Sequence, residues 1–341
     1  MKKIFAKEVT PGTILSEDVV KNSIILLSKG SVLTAKDINQ LIKNNVKEIF
    51  VYDENDFEAT SDIKVEFKEI PPVVEAKKYK KWTEQFEIVK DITKLEKDST
   101  ELNTVVEDIY KSFVKKEDVV LNLFHSISNE NLSSHSINTA IISTIISVHL
   151  KMPYIFTFQL LKASLLHDIG YSFLSERVIL DFENLDNQIV RSHVISGYKV
   201  FQSLKKEISK EAVESILYHH ERYDGKGIIM GLKAERINPL VRILQIGDAY
   251  DSLIETSKSP YEAMSYLLSQ AGKMFDPFYV STFFSIVGLY PTGTQVILNN
   301  GKNAVVTKKG KAAVFPVVSV EGQIVETGPE TGIFIKEVFK S

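Results

Sequence analysis

Two short segments combine histidine, aspartate and glycine in a chain that has only seven histidines. Residues 165–174 read LLHDIGYSFL, and residues 217–228 read LYHHERYDGKGI. The chain has no cysteine, so any transition metal would be bound by imidazole, carboxylate or water. Imidazole and carboxylate without sulfur suit iron, manganese or zinc. The two segments therefore raise the hypothesis of a metal site.

The spacing of these residues favours two ions over one. Neighbouring residues on a helix diverge by about 100°, so the doublets His167–Asp168 and His219–His220 cannot each aim both side chains at one point. They can instead straddle two nearby ions, with Asp168 bridging them. Single residues elsewhere in the chain could complete the coordination, namely His135, His193 and Asp248.

Each histidine also has an ordinary structural interpretation. A lone histidine in a helix is usually solvent-exposed or hydrogen-bonded in the core, and we expect this of His125 and His149. The doublets resist that interpretation, because burying imidazoles and a carboxylate without partners costs several kcal/mol. From spacing alone, a metal site and structural histidines both remain open.

The elements that would position these residues are mainly α-helices. From residue 119 to about residue 288, apolar residues recur at helical intervals, so we predict an all-α domain over 119–290. Residues 1–70 predict a small α/β domain and linker, with Thr34 as a helix N-cap, and residues 71–118 predict connecting helices. The apolar stripe of the connecting helices over 71–118 could pack within the chain or form a homodimer interface. Valine-rich runs between Asn-Gly and Lys-Gly turns predict a β extension over 291–341.

Composition limits the partners. A net charge of −3 and a pI near 6.2 argue against polymeric nucleic acid as a partner, because binding phosphates needs a basic surface. We recognise neither a signal peptide nor a membrane-spanning run. The expectation is a cytoplasmic protein that does not bind membranes.

Read in order, these motifs resemble the HD-GYP branch of the HD-domain metal phosphohydrolases. HDIG at 167–170 resembles the motif that gives HD domains their name, and HHERYDGKG at 219–227 resembles the HHExxDGxGYP segment. RILQIGDAYDSL at 242–253 is similar to the HD-GYP helix that supplies the last aspartate ligand. HSINTA at 135–140 is similar to the HD-GYP helix that supplies the first histidine ligand. The resemblance implies seven metal ligands: His135, His167, Asp168, His193, His219, His220 and Asp248.

That resemblance also implies an activity. HD-GYP proteins hydrolyse cyclic di-GMP, a bacterial second messenger, to pGpG or GMP through a hydroxide held between two metal ions. Asp168, His167 and His220 would form the catalytic core. The implied cofactor is two divalent ions, iron or manganese, with a third ion if Glu130 serves as the additional ligand that some relatives have.

The sequence departs from the family where the ligand would be recognised. Tyr171 replaces the usual lysine, and GII at 227–229 replaces Gly-Tyr-Pro. We expect substrate contacts from Tyr171, Arg222, Lys226 and Lys258. For each charge-assisted hydrogen bond that these replacements remove, the binding free energy of a dianionic ligand would weaken by about 1.5–3 kcal/mol.

These departures leave three functions open. The first is a cyclic-dinucleotide phosphodiesterase. The second is a weak or inactive relative that senses a cyclic dinucleotide or metal and signals through protein partners. The third, against which the HHE doublet argues, is hydrolysis of another phosphoester such as a nucleotide monophosphate.

Overall fold

The computed structural model describes residues 2–9, 13, 15–17, 19–21, 24–27, 33, 35–51, 72–91, 99–116, 121, 132–174, 188–203, 208–256 and 258–339. The chain divides into two compact units. One unit comprises residues 71–258 and 270–286, and the other comprises residues 1–70, 259–269 and 287–341. The domain boundaries drawn from the sequence stay predictions.

Helices dominate the described part of the chain. In order they are α1 (Ala35–Lys43), α2 (Ala76–Val89), α3 (Thr100–Phe113), α4 (Leu132–His149), α5 (Tyr154–Leu166), α6 (Gln188–Ser203), α7 (Lys210–Tyr218), α8 (Pro239–Glu255), α9 (Pro260–Ser269) and α10 (Pro277–Val287). The strands are β1 (Lys2–Phe5), β2 (Val19–Lys21), β3 (Ile24–Leu27), β4 (Glu48–Val51), β5 (Gln295–Leu298), β6 (Asn303–Lys308), β7 (Val317–Val320), β8 (Gln323–Glu326) and β9 (Ile335–Val338). This content confirms the predicted fold class, which is mainly α with small mixed and β parts.

Helix α4 forms the centre of the helical unit. All its residues from Leu132 to Ser147 are buried, and it packs against α5 and α8. A helix that is buried on every side belongs to the core of a domain. The partner helix α8 starts with Pro239, and the Asn238 side chain accepts a hydrogen bond from the Leu240 amide as its N-cap.

Two glycines permit the close backbone approaches that bring these helices together. A Cβ atom on Gly247 would lie 2.9 Å from the carbonyl oxygen of Thr139, so α8 can approach α4 only with glycine there. A Cβ atom on Gly170 would lie 1.9 Å from the carbonyl oxygen of His193. The glycine of HDIG therefore lets the turn after α5 contact α6.

The other unit contains the β-structure. Near the N-terminus, β1 pairs antiparallel with β4, β2 pairs with β3, and a small apolar core includes Leu15, Leu41 and Val51. Near the C-terminus, five antiparallel strands are ordered β8-β7-β6-β5-β9. The predicted N-cap Thr34 lies outside the described residues.

Among the described residues, no helix combines the length and the apolar character required to cross a bilayer.

Candidate metal centre

Seven buried side chains form two adjoining groups with the ligand types that metals prefer. In each group, one nitrogen or oxygen atom of every member lies within 4.8 Å of the corresponding atoms of the others. The first group is Asp168, His193, His219 and His220, and the second is His135, His167 and Asp248. These are the seven residues that the motifs singled out.

Helix ends and helix faces supply these side chains. His167 is the C-cap residue of α5. Asp168 follows it and is the N-cap residue of a short 3-10 helix, Ile169–Phe173. His219 caps the C-terminus of α7 in the same way, and His220 follows it. The two doublets thus lie where helices stop. His167 and Asp168 fall in different groups, as the spacing predicted, whereas the prediction was wrong for His219 and His220, which fall in one group. The helix ends at His219, so the helical angle does not separate these two side chains. His135, His193 and Asp248 project from α4, α6 and α8.

The carboxylate of Asp168 lies between the two groups. Its Oδ1 is 3.3 Å from Nε2 of His193 and 3.5 Å from Nε2 of His219. The same oxygen is 3.5 Å from Nε2 of His167, and Oδ2 is 3.8 Å from Nε2 of His135. Asp168 is therefore placed to contribute one oxygen to each of two ions.

Asp248 closes the second group from the opposite helix. Its Oδ1 lies 3.3 Å from Nε2 of His135 and 3.9 Å from Nε2 of His167. The two imidazole Nε2 atoms are themselves 3.2 Å apart. Three potential donor atoms thus face one small volume.

Backbone carbonyls orient two of the imidazoles. Nδ1 of His167 lies 2.8 Å from the Ser164 carbonyl oxygen, and Nδ1 of His219 lies 2.8 Å from the Ile216 carbonyl oxygen. A carbonyl can only accept, so each Nδ1 carries the proton and each Nε2 presents a lone pair to the centre. This is how proteins usually fix the tautomer of a metal-binding histidine.

Burial favours the neutral form of three of these histidines. It lowers the pKa of His167 to about 4 and the pKa of His193 below its usual value. Burial also holds the pKa of His220 well below the ordinary range. Neutral imidazole is the form that binds a metal.

The two carboxyl groups are held ionised. Burial alone would raise the pKa of Asp168, but the neighbouring imidazoles of His167 and His193 hold that pKa well below its usual value. Burial likewise opposes ionisation of Asp248, and the nearby imidazoles of His135 and His167 keep its pKa low. The centre therefore presents neutral nitrogen donors and charged oxygen donors.

One buried histidine nitrogen is available to bind a metal ion. Nε2 of His220 has no hydrogen-bond partner among the described residues. A buried polar atom left unpaired costs about 1–3 kcal/mol, and a metal ion would supply the partner. The residues present therefore fit a divalent metal centre.

The residues predicted to contact substrate have varied surroundings. Tyr171 is buried and stacks on His193, with ring centroids 4.1 Å apart. Arg222 makes two hydrogen bonds to Asp224, at 3.1 Å from Nε and 2.8 Å from Nη2. Lys226 and Lys258 are exposed.

A pocket opens beside the metal groups. The residues that line it are His219, His220, Glu221, Arg222, Gln245, Asp248, Met274 and Phe275. Of the four predicted substrate contacts, Arg222 alone is in that lining. The cavity is small, with a volume of about 20 Å³, and its lining combines charged and apolar side chains.

The segment that replaces Gly-Tyr-Pro is organised by Glu221. Its buried carboxylate accepts hydrogen bonds from the backbone amides of Met230, Gly231 and Leu232. Gln245 donates to the carbonyl oxygens of His219 and Glu221 from the other side. These bonds fix the edge of the pocket without the family's tyrosine and proline.

Two acidic residues near the centre were not predicted. Asp251 and Glu255 form a third cluster with His135, and Oδ2 of Asp251 lies 2.8 Å from Nδ1 of His135. Asp251 follows Asp248 by three residues, a spacing that places both on one helix face. That spacing was the available signal.

Three sequence predictions fall elsewhere. Glu130 lies outside the described residues, so the third metal ion stays a prediction. His125 also lies outside them. His149 is exposed at the end of α4.

Comparison with known proteins shows what the segment that carries this centre is similar to. A family model described as HD domain matches residues 119–278. A cyclic di-GMP phosphodiesterase of Pseudomonas aeruginosa is 29% identical over 65% of this chain and 56% of its own length. A cyclic di-GMP phosphodiesterase of Thermotoga maritima is 27% identical over 56% of this chain and 53% of its own. A cyclic di-GMP phosphodiesterase response regulator of Xanthomonas campestris is 32% identical over 34% of this chain and 32% of its own.

The chain thus spans about half, or less, of the length of these curated relatives. The family match covers the stretch that supplies all seven residues of the two groups. The HD-domain match and the names of these relatives support the resemblance of the motifs to HD-GYP phosphodiesterases.

Proposed function

We propose that this chain is a metal-dependent phosphodiesterase that hydrolyses cyclic di-GMP to pGpG, GMP or both. The observation that carries the proposal is the pair of buried histidine and aspartate groups joined by Asp168. Two relatives of this chain are named cyclic di-GMP phosphodiesterases, which supports this substrate class.

The seven side chains would hold two divalent ions, for which we propose iron or manganese. When bound, such ions activate water and neutralise the charge that develops on the phosphoryl oxygens and the leaving oxygen. The chain's own residues contribute the geometry. His167 and His219 point Nε2 inward because backbone carbonyls bind Nδ1, and Asp168 holds the two groups at a fixed separation.

The pocket would receive the dinucleotide beside these groups. Met274 and Phe275 are buried in the wall of this cavity, and Arg222 lies at the same rim. For the residues predicted to contact substrate, we keep Arg222 as a direct contact and Lys226 and Lys258 as peripheral charges. Tyr171 would act on the centre through His193, on which it stacks.

The proposal includes a cytoplasmic location, since cyclic di-GMP is an intracellular signal. It also includes homodimerisation or protein signalling partners as the route by which activity is controlled.

One observation favours a second function, that of a sensor with little turnover. Arg222 is already paired with Asp224, and Lys226 and Lys258 lie outside the pocket lining. A dianionic ligand would then lack the cationic contacts that strengthen its binding in a reactive position. Such a protein would bind the dinucleotide or metal and report it to a partner.

The experiment that separates the two uses anaerobically purified, metal-analysed protein. It is incubated with cyclic di-GMP and with the mixed cyclic dinucleotide cyclic GMP-AMP, and linear products are measured by chromatography. Asp168→Ala is the inactive variant, and His149→Ala, at an exposed histidine, is the matched control. Turnover that Asp168→Ala abolishes and His149→Ala preserves supports the phosphodiesterase. Micromolar binding without product supports the sensor.

A further inference from the structure

Behind His135, on the side away from the metal groups, a chain of hydrogen bonds leads to helix α2. Nδ1 of His135 lies 2.8 Å from Oδ2 of Asp251. The amide of Asn138 donates to the other oxygen of Asp251 at 2.8 Å. The hydroxyl of Tyr79 lies 3.0 Å from the amide oxygen of Asn138. All four side chains are buried.

The donors and acceptors in this chain run in one direction. The Tyr79 hydroxyl donates to the amide oxygen of Asn138, which leaves the NH₂ group of that amide facing Asp251. An ionised carboxylate can only accept, so Asp251 takes one hydrogen bond from Asn138 and one from His135. The proton of His135 is thereby fixed on Nδ1.

The position of this proton determines which nitrogen atom of His135 can bind a metal ion. With the proton on Nδ1, Nε2 presents its lone pair toward His167 and Asp248. The opposite tautomer would place a proton between these groups and prevent coordination. A carboxylate behind a metal-binding histidine is the common device for orienting the ring and raising its basicity.

Tyr79 is held in place as a neutral donor. Burial, together with the nearby charges of Asp251 and Glu255, raises the pKa of Tyr79 far above its usual value. Its helix α2 packs against α3 and α4 through an apolar face that also includes Trp82 and Phe86. The position of α2 therefore controls whether the hydroxyl reaches Asn138.

We propose that Tyr79, Asn138 and Asp251 are positioning residues that fix the metal-binding tautomer of His135 and make the affinity of one metal ion depend on helix α2. The inference rests on the proposed function, because it requires that His135 bind a metal. It extends that function to residues outside both metal groups and, in the case of Tyr79, outside the segment matched by the family model.

The decisive variant is Asp251→Asn, which keeps the shape of the side chain. Its amide has one oxygen and one NH₂ group, so it cannot accept from both Asn138 and His135. Either the bond to Asn138 is broken or the NH₂ group donates to Nδ1 and forces the proton onto Nε2. Removal of such an outer hydrogen-bond partner typically weakens metal binding about 10–100-fold.

The milder variant is Tyr79→Phe, which removes one hydroxyl and retains the packed ring. The matched control is Tyr110→Phe on α3, which removes a hydroxyl from a ring that packs against Tyr154. One ordinary hydrogen bond corresponds to roughly a two- to tenfold change in an equilibrium constant. Tyr79→Phe should weaken binding by that factor, and Tyr110→Phe should not.

The measurement is a titration of metal-free protein with Mn²⁺ against a competing chelator dye, with thermal unfolding of each variant recorded in excess chelator. We expect two ions in the wild type, one of them weakened in Asp251→Asn and more modestly in Tyr79→Phe. Unfolding in chelator should separate this effect from reduced stability, because Tyr79→Phe should unfold within a few degrees of Tyr110→Phe.

Wild-type affinity for both ions in Asp251→Asn and Tyr79→Phe would overturn the inference while leaving the proposed function intact. An equal reduction of affinity in Tyr110→Phe would overturn it too, because the effect would then not depend on the hydrogen-bond chain. Wild-type protein that binds no divalent ion would contradict the proposed function itself.

Discussion

Tyr171 lies nearly face to face with His193, with ring centroids 4.1 Å apart and ring planes inclined by 19°. The resemblance to HD-GYP proteins led us to expect a lysine that contacts phosphate at this position. In this chain the position holds an aromatic ring that covers an imidazole of the first metal group. The contact holds a proposed metal ligand in place.

Replacing this ring should therefore affect metal binding. We expect Tyr171→Leu to weaken the ion at the first group, because an aromatic pair contributes about 0.5–1.5 kcal/mol beyond its buried area. Tyr171→Phe keeps the stack and should bind that ion more tightly than Tyr171→Leu. Metal titration of the two purified variants checks this, and equal affinities in both would rule out the stacking role.

Metal removal should destabilise the protein. A ligand that binds only the folded state adds about 2.7 kcal/mol of stability when present at one hundred times its dissociation constant. Thermal unfolding of metal-loaded protein should therefore shift to lower temperature after treatment with chelator. The shift should vanish in Asp168→Ala, whereas a chelator effect of full size in that variant would show that the stabilising metal is bound elsewhere.

The two aspartates of the centre should differ in their effect on stoichiometry. Asp168 approaches both groups, whereas Asp248 belongs to the second. Asp168→Asn should reduce the bound metal at both positions, and Asp248→Asn should chiefly reduce one. Elemental analysis after dialysis measures the ions per chain; identical reductions in the two variants would count against a bridging position for Asp168.

Gly170 should tolerate no side chain. A Cβ atom there would meet the carbonyl oxygen of His193 at 1.9 Å, so the contact between the HDIG turn and α6 would have to open. We expect Gly170→Ala to cost at least about 1–3 kcal/mol in the free energy of unfolding, measured with urea. Gly197→Ala is the comparison, since its Cβ would meet the Ile216 side chain at 3.1 Å and should cost less. Equal stability of wild type and Gly170→Ala would show that the turn can move freely.

Much of the fold followed from the sequence because its signals are local. Apolar periodicity predicted the helical region, and valine-rich runs between glycine turns predicted the C-terminal strands. The burial of α4 on every side was not predicted, although its sequence is rich in isoleucine and contains no aspartate, glutamate, lysine or arginine. Close approaches such as that of Gly247 to Thr139 join residues far apart in sequence, and periodicity does not report them.

The candidate site also combines features that the sequence predicted with contacts that it did not. Residue types and motif order singled out seven side chains that the fold brings together. The pairing of Arg222 with Asp224 and the stack of Tyr171 on His193 depend on side-chain directions, which composition does not encode. Asp251 lies one helical turn after Asp248, yet its role was not predicted. Its partner Asn138 lies on a helix that is far away in the sequence, although the two helices pack together in the fold.

We propose that two ions share the carboxylate of Asp168. A crystal structure of Mn²⁺-loaded protein, with anomalous scattering recorded at the metal edge, would locate both ions. We predict two anomalous peaks, one beside His193, His219 and His220 and the other beside His135, His167 and Asp248, with one Asp168 oxygen bound to each. A single peak, or two peaks of which either lacks Asp168 as a ligand, would contradict the account.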